Sequence, residues 1–190
     1  MADATKISQG KPKVGGAVSI APIGTALPTD ATSDLAETFK NLGYITTDGL
    51  TNSNSMETSD IKAWGGDTVM TTVTGKTDTF KCAFMESLNP EVLKLVYGDT
   101  NVSGTDAATG LTVKSNTAQL PAHVIVVDMI LKGDILKRIV IPCGTVTAVD
   151  DVVYKDDDVT SYGATISAAP DKDGNTHYEY VKAKLAAHGE

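Results

Sequence analysis

The stretch that most constrains the fold is PAHVIVVDMILKGDILKRIVIPCG, residues 121–144, where a glycine–aspartate pair separates two apolar segments. At the two-residue period of a β-strand, both faces of the first segment are apolar. Its faces carry Ile125, Val127, Met129 and Leu131 on one side and Val124, Val126 and Ile130 on the other. Such a strand must be covered on both sides, so we expect a central hairpin with a type II′ turn at Gly133-Asp134.

Further strand patterns occur on both sides of this hairpin. In DTFKCAFME, Phe80, Cys82 and Phe84 share one face, and the preceding TVMTTVT predicts a partner strand joined by a turn at Gly75-Lys76. TVTAVDDVVY, VTSYGATISAA and THYEYVKAKL follow, and the loop PDKDGN predicts that the last two form a hairpin. We therefore expect a mainly β fold, an antiparallel β-sandwich or open barrel with one or two short flanking α-helices.

Two segments predict those helices. NPEVLKLVYG combines a capping Asn89, a proline at the first helical position and a terminating Gly98. DLAETFKNLG has Asp34 as a cap, with Leu35, Phe39 and Leu42 spaced as on one helix face.

The chain divides into an arm and one domain. Residues 1–18 are rich in glycine and locally basic, and residues 19–190 predict a single β domain. The arm, with Lys6, Lys11 and Lys13, is either a frayed terminus or a contact with the acidic surface of a neighbouring copy.

The longest polar tract runs from Gly43 to Gly66, as GYITTDGLTNSNSMETSDIKAWGG, and includes the only tryptophan of the chain, Trp64. Apolar side chains are too few here to offset the entropy of ordering by self-burial. The tract is therefore either loose or ordered by contact with something else.

Charge and composition exclude several classes. The net charge is −8, the pI is near 4.8, and Arg138 is the only arginine, so the chain is a poor candidate for a protein that binds nucleic acid tightly. The N-terminus lacks the pattern of a secretory signal, and no apolar run is long enough to span a bilayer, so we expect a cytoplasmic product.

No catalytic, cofactor or metal site is predicted. His123, His177 and His188 have no ligand or base spacing, and DKDGN lacks the downstream acid of a calcium loop and is better explained as a turn. Cys82 and Cys143 lack metal spacing and are interpreted as two buried thiols, with a disulfide as the alternative. An enzyme is therefore not expected.

The sequence from Gly10 to Gly98 resembles a known family. Its motifs include LGYITTDGLT, IKAWGGDTV, KTDTF and LNPEVLKLVYG. These resemble the major tail protein, or tail tube protein, of long-tailed, non-contractile bacteriophages, especially those of actinobacterial hosts. The resemblance implies a virion protein that self-assembles into stacked, hexameric rings and conducts the genome. It also implies tape-measure, terminator and initiator proteins as partners, and no cofactor or membrane.

Under this resemblance, residues of the polar tract acquire roles. Residues 46–66 would be a long loop or extended hairpin that reaches the next ring, with Trp64 as anchor; the alternative for Trp64 is the core of its own subunit. The predicted ring-stacking residues are Thr51, Asn52, Ser53, Asn54, Ser55, Trp64, Gly65 and Gly66. Carboxylates in the channel would repel DNA, and the candidates are Asp128, Asp150, Asp151, Asp156, Asp157 and Asp158, with a solvated outer face as the alternative.

A different class of function remains open. A virion decoration protein or cell-surface binding module is also a β-sandwich with polar loops. Such a site gathers aromatic residues, whereas aromatics are 5% of this chain and only Tyr154, Tyr162, Tyr178 and Tyr180 lie near one another in sequence.

Overall fold

The computed structural model describes residues 2–183, and the protein is mainly β, with 44% strand and 8% helix. The strands are β1 Lys11–Pro12, β2 Val18–Pro22, β3 Lys40–Asn41, β4 Thr51–Lys62, β5 Thr68–Phe84, β6 Val102–Ser103, β7 Thr112–Val113, β8 Ala122–Leu131, β9 Ile135–Val149, β10 Tyr162–Ala168 and β11 Tyr178–Ala183. The α-helix α1 spans Pro90–Tyr97, and short 3₁₀ helices span Ala4–Lys6 and Asp99–Asn101. The predicted mainly β fold with a short flanking helix is confirmed.

Nine of the strands form one antiparallel sheet in the order β3-β2-β8-β9-β10-β5-β4, with β1 added to β8 and β11 added to β9. The strands β6 and β7 pair separately. The predicted central hairpin is β8–β9, but Gly133 (φ 81°) and Asp134 (φ 55°) both have positive φ. A type II′ turn needs positive φ only at its first central residue, so that turn type was wrong.

The strand β9 is long enough to pair with two strands on the side away from β8. Residues 144–149 pair with β10 and residues 135–140 pair with β11. The predicted β10–β11 hairpin is therefore wrong, because each strand takes a different part of β9. The PDKDGN segment closes a local turn, in which the Gly174 N–H donates to the Asp171 carbonyl.

The predicted turn at Gly75-Lys76 is also wrong. The strand β5 continues through both residues, and the register with β4 shifts between Glu57 and Thr58. A shift of this kind places an extra residue in one strand. A Cβ at position 75 would lie 3.2 Å from Oε2 of Glu57, the residue with which Gly75 pairs.

Of the two predicted helices, α1 is confirmed: the Asn89 side chain accepts the Glu91 N–H at 3.0 Å, and Val92, Leu93, Leu95 and Val96 are buried. The helix predicted from Asp34 is wrong. The Asp30 side chain accepts the Thr32 and Ser33 N–H groups, and Arg138 binds the Asp30 and Ser33 carbonyls, which fixes a turn instead.

The main core lies where α1 packs against residues of β2, β5, β8, β9 and β10. The opposite face of β8 and β9 is buried as well, with Val124, Val126 and Val140 at 1% exposure or less. On this face Arg138 donates to the carbonyls of Asp30 and Ser33, so the segment around residues 30–33 lies over it. The expectation that β8 is covered on both faces is met by the subunit itself.

Candidate assembly surfaces

The polar tract forms one side of a long hairpin that leaves the sheet. Residues 79–81 of β5 pair with both β10 and β4, and residues 82–84 pair with β10. Residues 68–77 pair with β4 alone. Every residue of β4 is exposed, and from Thr77 to Thr68 no residue of β5 is buried. We call residues 54–77 the projecting hairpin.

The tip of the projecting hairpin is a tight turn between Ala63 and Asp67. The Ala63 N–H donates to the Asp67 carbonyl at 2.8 Å, and Gly65 (φ 121°) and Gly66 (φ 100°) take conformations that side chains disfavour. Trp64 lies at this tip and is fully exposed, at 107% of its reference area. The alternative that Trp64 belongs to the core of its own subunit is therefore wrong.

Several large apolar side chains of the projecting hairpin face solvent. Ile61 and Met70 are directly paired across the strands, so they share one face. The exposed apolar residues are Met56, Ile61, Trp64, Val69, Met70 and Val73, at 50% exposure or more. Met56 and the Thr58–Val73 pair lie on the opposite face from Ile61 and Met70, so both faces of the hairpin expose apolar side chains. Large exposed apolar side chains of this kind are typical of a protein interaction site.

The remaining residues predicted for ring stacking lie lower on the hairpin. Thr51 and Ser53 pair with Lys81 and Thr79 in the body of the sheet. The Asn52 amide is occupied within the subunit, since it donates to Asp78 Oδ1 at 2.7 Å. Asn54 and Ser55 begin the projecting hairpin and are exposed.

The basic arm lies along its own sheet. The strand β1 pairs with Met129 and Ile130 of β8, and the Lys132 N–H donates to Ser8 Oγ at 2.8 Å. The amine of Lys13 lies 3.6 Å from Asp128 Oδ2. Lys6 and Lys11 are exposed.

The acidic candidates fall into two groups. Asp128 is buried and forms a two-point ion pair with Arg138, so its charge is compensated inside the subunit. Asp150 lies 3.0 Å from the Lys81 amine and is half exposed. The others, Asp151, Asp156, Asp157 and Asp158, are exposed in the segment between β9 and β10.

A buried polar cluster at the base of the projecting hairpin was not predicted. Asp78 is 2% exposed, and its Oδ2 lies 2.6 Å from both Thr176 Oγ1 and His177 Nδ1. Burial by itself raises the pKa of Asp78, but bonds from Thr176, Asn52 and His177 outweigh it and hold the pKa below its usual value. One feature of the sequence could have indicated this cluster: Asp78 lies two residues before Phe80, on a strand face that is otherwise apolar.

Residues 2–183 contain no group of three or more potential metal ligands, and none of the helices in that part of the chain has the length and hydropathy needed to cross a bilayer. Cys82 and Cys143 are both free, with Cys82 buried and Cys143 half-buried. His123 is buried beside Asp99, and His188 lies outside the described residues.

Comparisons with known proteins identify the family. The model for the phage tail tube protein family matches residues 13–189. A solved structure of the virion of a native gene transfer agent particle is similar at a TM-score of 0.40 and 12% identity, covering 78% of this chain and 92% of that one. No curated protein matches the chain significantly. The match over nearly the whole chain shows that it belongs to the phage tail tube protein family, as a structural component of a virion tail.

Proposed function

We propose that this tail tube protein forms hexameric rings that stack into a channel for delivery of the genome into the host. The observation that carries the proposal is the projecting hairpin, which exposes apolar side chains on both faces and a fully exposed tryptophan at its tip. A second copy of the chain is the partner, because the family assembles from copies of itself into a tail.

The hairpin is long enough to bridge two rings. At about 3.3 Å per residue, residues 68–77 extend about 30 Å beyond the last pairing with β10. Trp64 at the tip of the projecting hairpin is a suitable anchor, since a tryptophan buried at the centre of an interface contributes about 2–4 kcal/mol to the free energy of binding. Paired Ile61 and Met70 enlarge the same contact.

We assign the acidic segment between β9 and β10 to the channel wall. Asp150, Asp151 and Asp156–Asp158 would repel phosphate groups, so that DNA passes without being held. Asp128 is not part of this proposal, because it is buried against Arg138. The exposed lysines of the arm, Lys6 and Lys11, would contact an acidic surface of a neighbouring copy.

Assembly would take place in the cytoplasm of the host bacterium, with further tail proteins. A tape-measure protein would set the tube length, and initiator and terminator proteins would begin and end the stack. The membrane has no part in this scheme.

The test is electron microscopy of the purified protein over a concentration series, with size-exclusion chromatography of the same samples. We expect rings with six-fold symmetry and hollow tubes. Trp64→Ala should reduce tubes strongly while the unfolding temperature stays unchanged. Tyr44→Ala is the matched control, because Tyr44 is an exposed aromatic outside the hairpin, at 67% exposure.

One result would overturn the proposed function: a protein that stays monomeric even when initiator and tape-measure proteins are supplied. Another would overturn only the role of the hairpin: wild-type tube formation by the Trp64 variant would remove the tip from the stacking contact. Structure determination of an assembled tube would test the acidic lining, since carboxylates on the outer surface contradict it.

A further inference from the structure

The contacts at the base of the projecting hairpin determine its orientation relative to the sheet. Toward the body, Thr79 to Phe84 are fixed by pairing with β10; toward the tip, the backbone of residues 68–77 pairs with β4 alone. Asp78 lies at the boundary and is the last buried residue of β5 before the tip. Any contact that orients the hairpin relative to the sheet must therefore act near Asp78.

The Asp78 carboxylate links three segments at this boundary. Its Oδ1 accepts from Asn52 of β4 at 2.7 Å, and its Oδ2 contacts Thr176 and His177, which precede β11, at 2.6 Å each. The His177 ring also meets the edge of Phe80, with ring centroids 5.3 Å apart. Both hairpin strands are thus tied to the chain that leads into β11.

The surroundings of the cluster make these bonds difficult to replace. The Asp78 side chain is completely buried, so water cannot substitute for a lost donor without entering the site. The Lys76 amine lies 3.5 Å from Thr176 Oγ1 and contacts the cluster through that hydroxyl. A carboxylate that uses both oxygens toward two different segments fixes their relative orientation more firmly than a single bond does.

We propose that Asp78 is a positioning residue for assembly: acting through Asn52, Thr176 and His177, it holds the projecting hairpin at the angle from which its tip meets the neighbouring copy. The effect of Asp78 on assembly rests on the proposed function, whereas its effect on the orientation of the hairpin concerns the isolated subunit. Asp78 itself does not contact the neighbour.

The effect on assembly depends on the fraction of subunits whose hairpin is in the assembling orientation. If loss of the cluster leaves the hairpin in the assembling orientation one tenth of the time, the apparent affinity falls about tenfold. The concentration needed for tube formation then rises by the same factor. The fold of the body is retained, because β5 keeps its pairing with β10.

The test uses Trp64, the only tryptophan, as a reporter at the hairpin tip. Time-resolved fluorescence anisotropy is measured on unassembled protein, where segmental motion of a loosened hairpin appears as a nanosecond component. We expect Asp78→Asn to gain this component and to need about tenfold more protein for tubes. Asp106→Asn is the matched control, because Asp106 caps an exposed turn in the loop between β6 and β7.

A second pair of variants covers the case in which Asp78→Asn does not fold. Thr176→Val removes one donor to Asp78 at nearly constant volume, and Thr109→Val makes the same change at an exposed hydroxyl. We expect the nanosecond component in the Thr176 variant alone. Unchanged anisotropy in a folded Asp78 or Thr176 variant would overturn the inference.

The experiments distinguish a failure of the proposed tube function from a failure of the positioning role of Asp78. If the variants loosen the tip but wild-type protein forms no tubes, the orienting role of Asp78 stands and the proposed function fails. If wild-type tubes form and the loosened variants assemble at the same concentration, the link from Asp78 to assembly is overturned.

Discussion

Arg138 and Asp128 form a two-point ion pair on neighbouring strands, with Nε–Oδ1 at 2.6 Å and Nη2–Oδ2 at 2.9 Å. The two residues are directly paired between β9 and β8. The third nitrogen, Nη1, donates to the carbonyls of Asp30 and Ser33. The only arginine of the chain therefore holds the segment around residues 30–33 over one face of the sheet.

Replacing Arg138 by leucine should destabilise the protein by about 3–5 kcal/mol, because the Asp128 carboxylate would remain buried without its main partner. Urea unfolding followed by circular dichroism measures the loss. The double variant Arg138→Leu/Asp128→Leu is the control, and it should recover part of the stability. If the double variant is no more stable than Arg138→Leu, the loss of stability does not come from the unpaired Asp128 carboxylate.

Gly144 lies in β9 where there is no room for a side chain. A Cβ there would lie 2.8 Å from Ile125 Cδ1 and 3.0 Å from Ile166 Cγ2. Gly144→Ala should therefore cost about 1–3 kcal/mol through overpacking, measured as a lower unfolding temperature. Gly10→Ala is the control, since its Cβ would meet only Met129 Sδ at 3.4 Å, and equal stability of the two variants would disprove the argument.

The two cysteines should differ in reactivity. Burial raises the pKa of the Cys82 thiol to about 12, so little of the reactive thiolate exists at neutral pH. Cys143 is half-buried and more accessible. Iodoacetamide labelling followed by peptide mass spectrometry should modify Cys143 first in the folded protein, and Cys82 only after denaturation. Equal labelling rates in the folded state would contradict this prediction.

Local patterns predicted much of the fold. The alternation of Phe80, Cys82 and Phe84 placed all three in the core, and the Asn89 cap marked the start of α1. These features succeed because they depend on neighbours within a few residues. The Asp34 helix failed because distant Arg138 binds the carbonyls of the same segment, a contact that spacing does not encode.

The candidate site was less accessible to sequence reasoning. The polar tract was predicted to project, but the bounds of the hairpin depend on where β10 stops pairing with β5. Asp78 meets Thr176 and His177 only because β11 pairs with the far end of β9. Pairing between residues so far apart cannot be predicted from local sequence patterns. Here the only local indication in the sequence is an acidic residue, Asp78, on an apolar strand face.

The Asp78 cluster should make stability depend on pH in the acid range. The pKa of Asp78 in the folded protein lies below the ordinary value of 3.8, so the carboxylate stabilises the folded state above that value. This contribution is lost as the pH falls through the folded-state pKa. The free energies of unfolding of wild type and Asp78→Asn, measured with urea, should thus differ most above the ordinary pKa of 3.8 and converge as the pH falls below it. A difference that does not change with pH would exclude this linkage.

Deleting residues 2–16 should affect assembly more than folding. The arm contributes a two-residue strand and the Lys13–Asp128 contact, and a partly exposed ion pair of this kind is worth no more than about 1 kcal/mol. Asp128 keeps Arg138 as its partner, so no buried charge is left alone. We therefore expect a small change in unfolding temperature and a clear loss of sedimenting tubes. Wild-type tube yield from a destabilised deletion variant would instead make the arm a purely structural part of its own subunit.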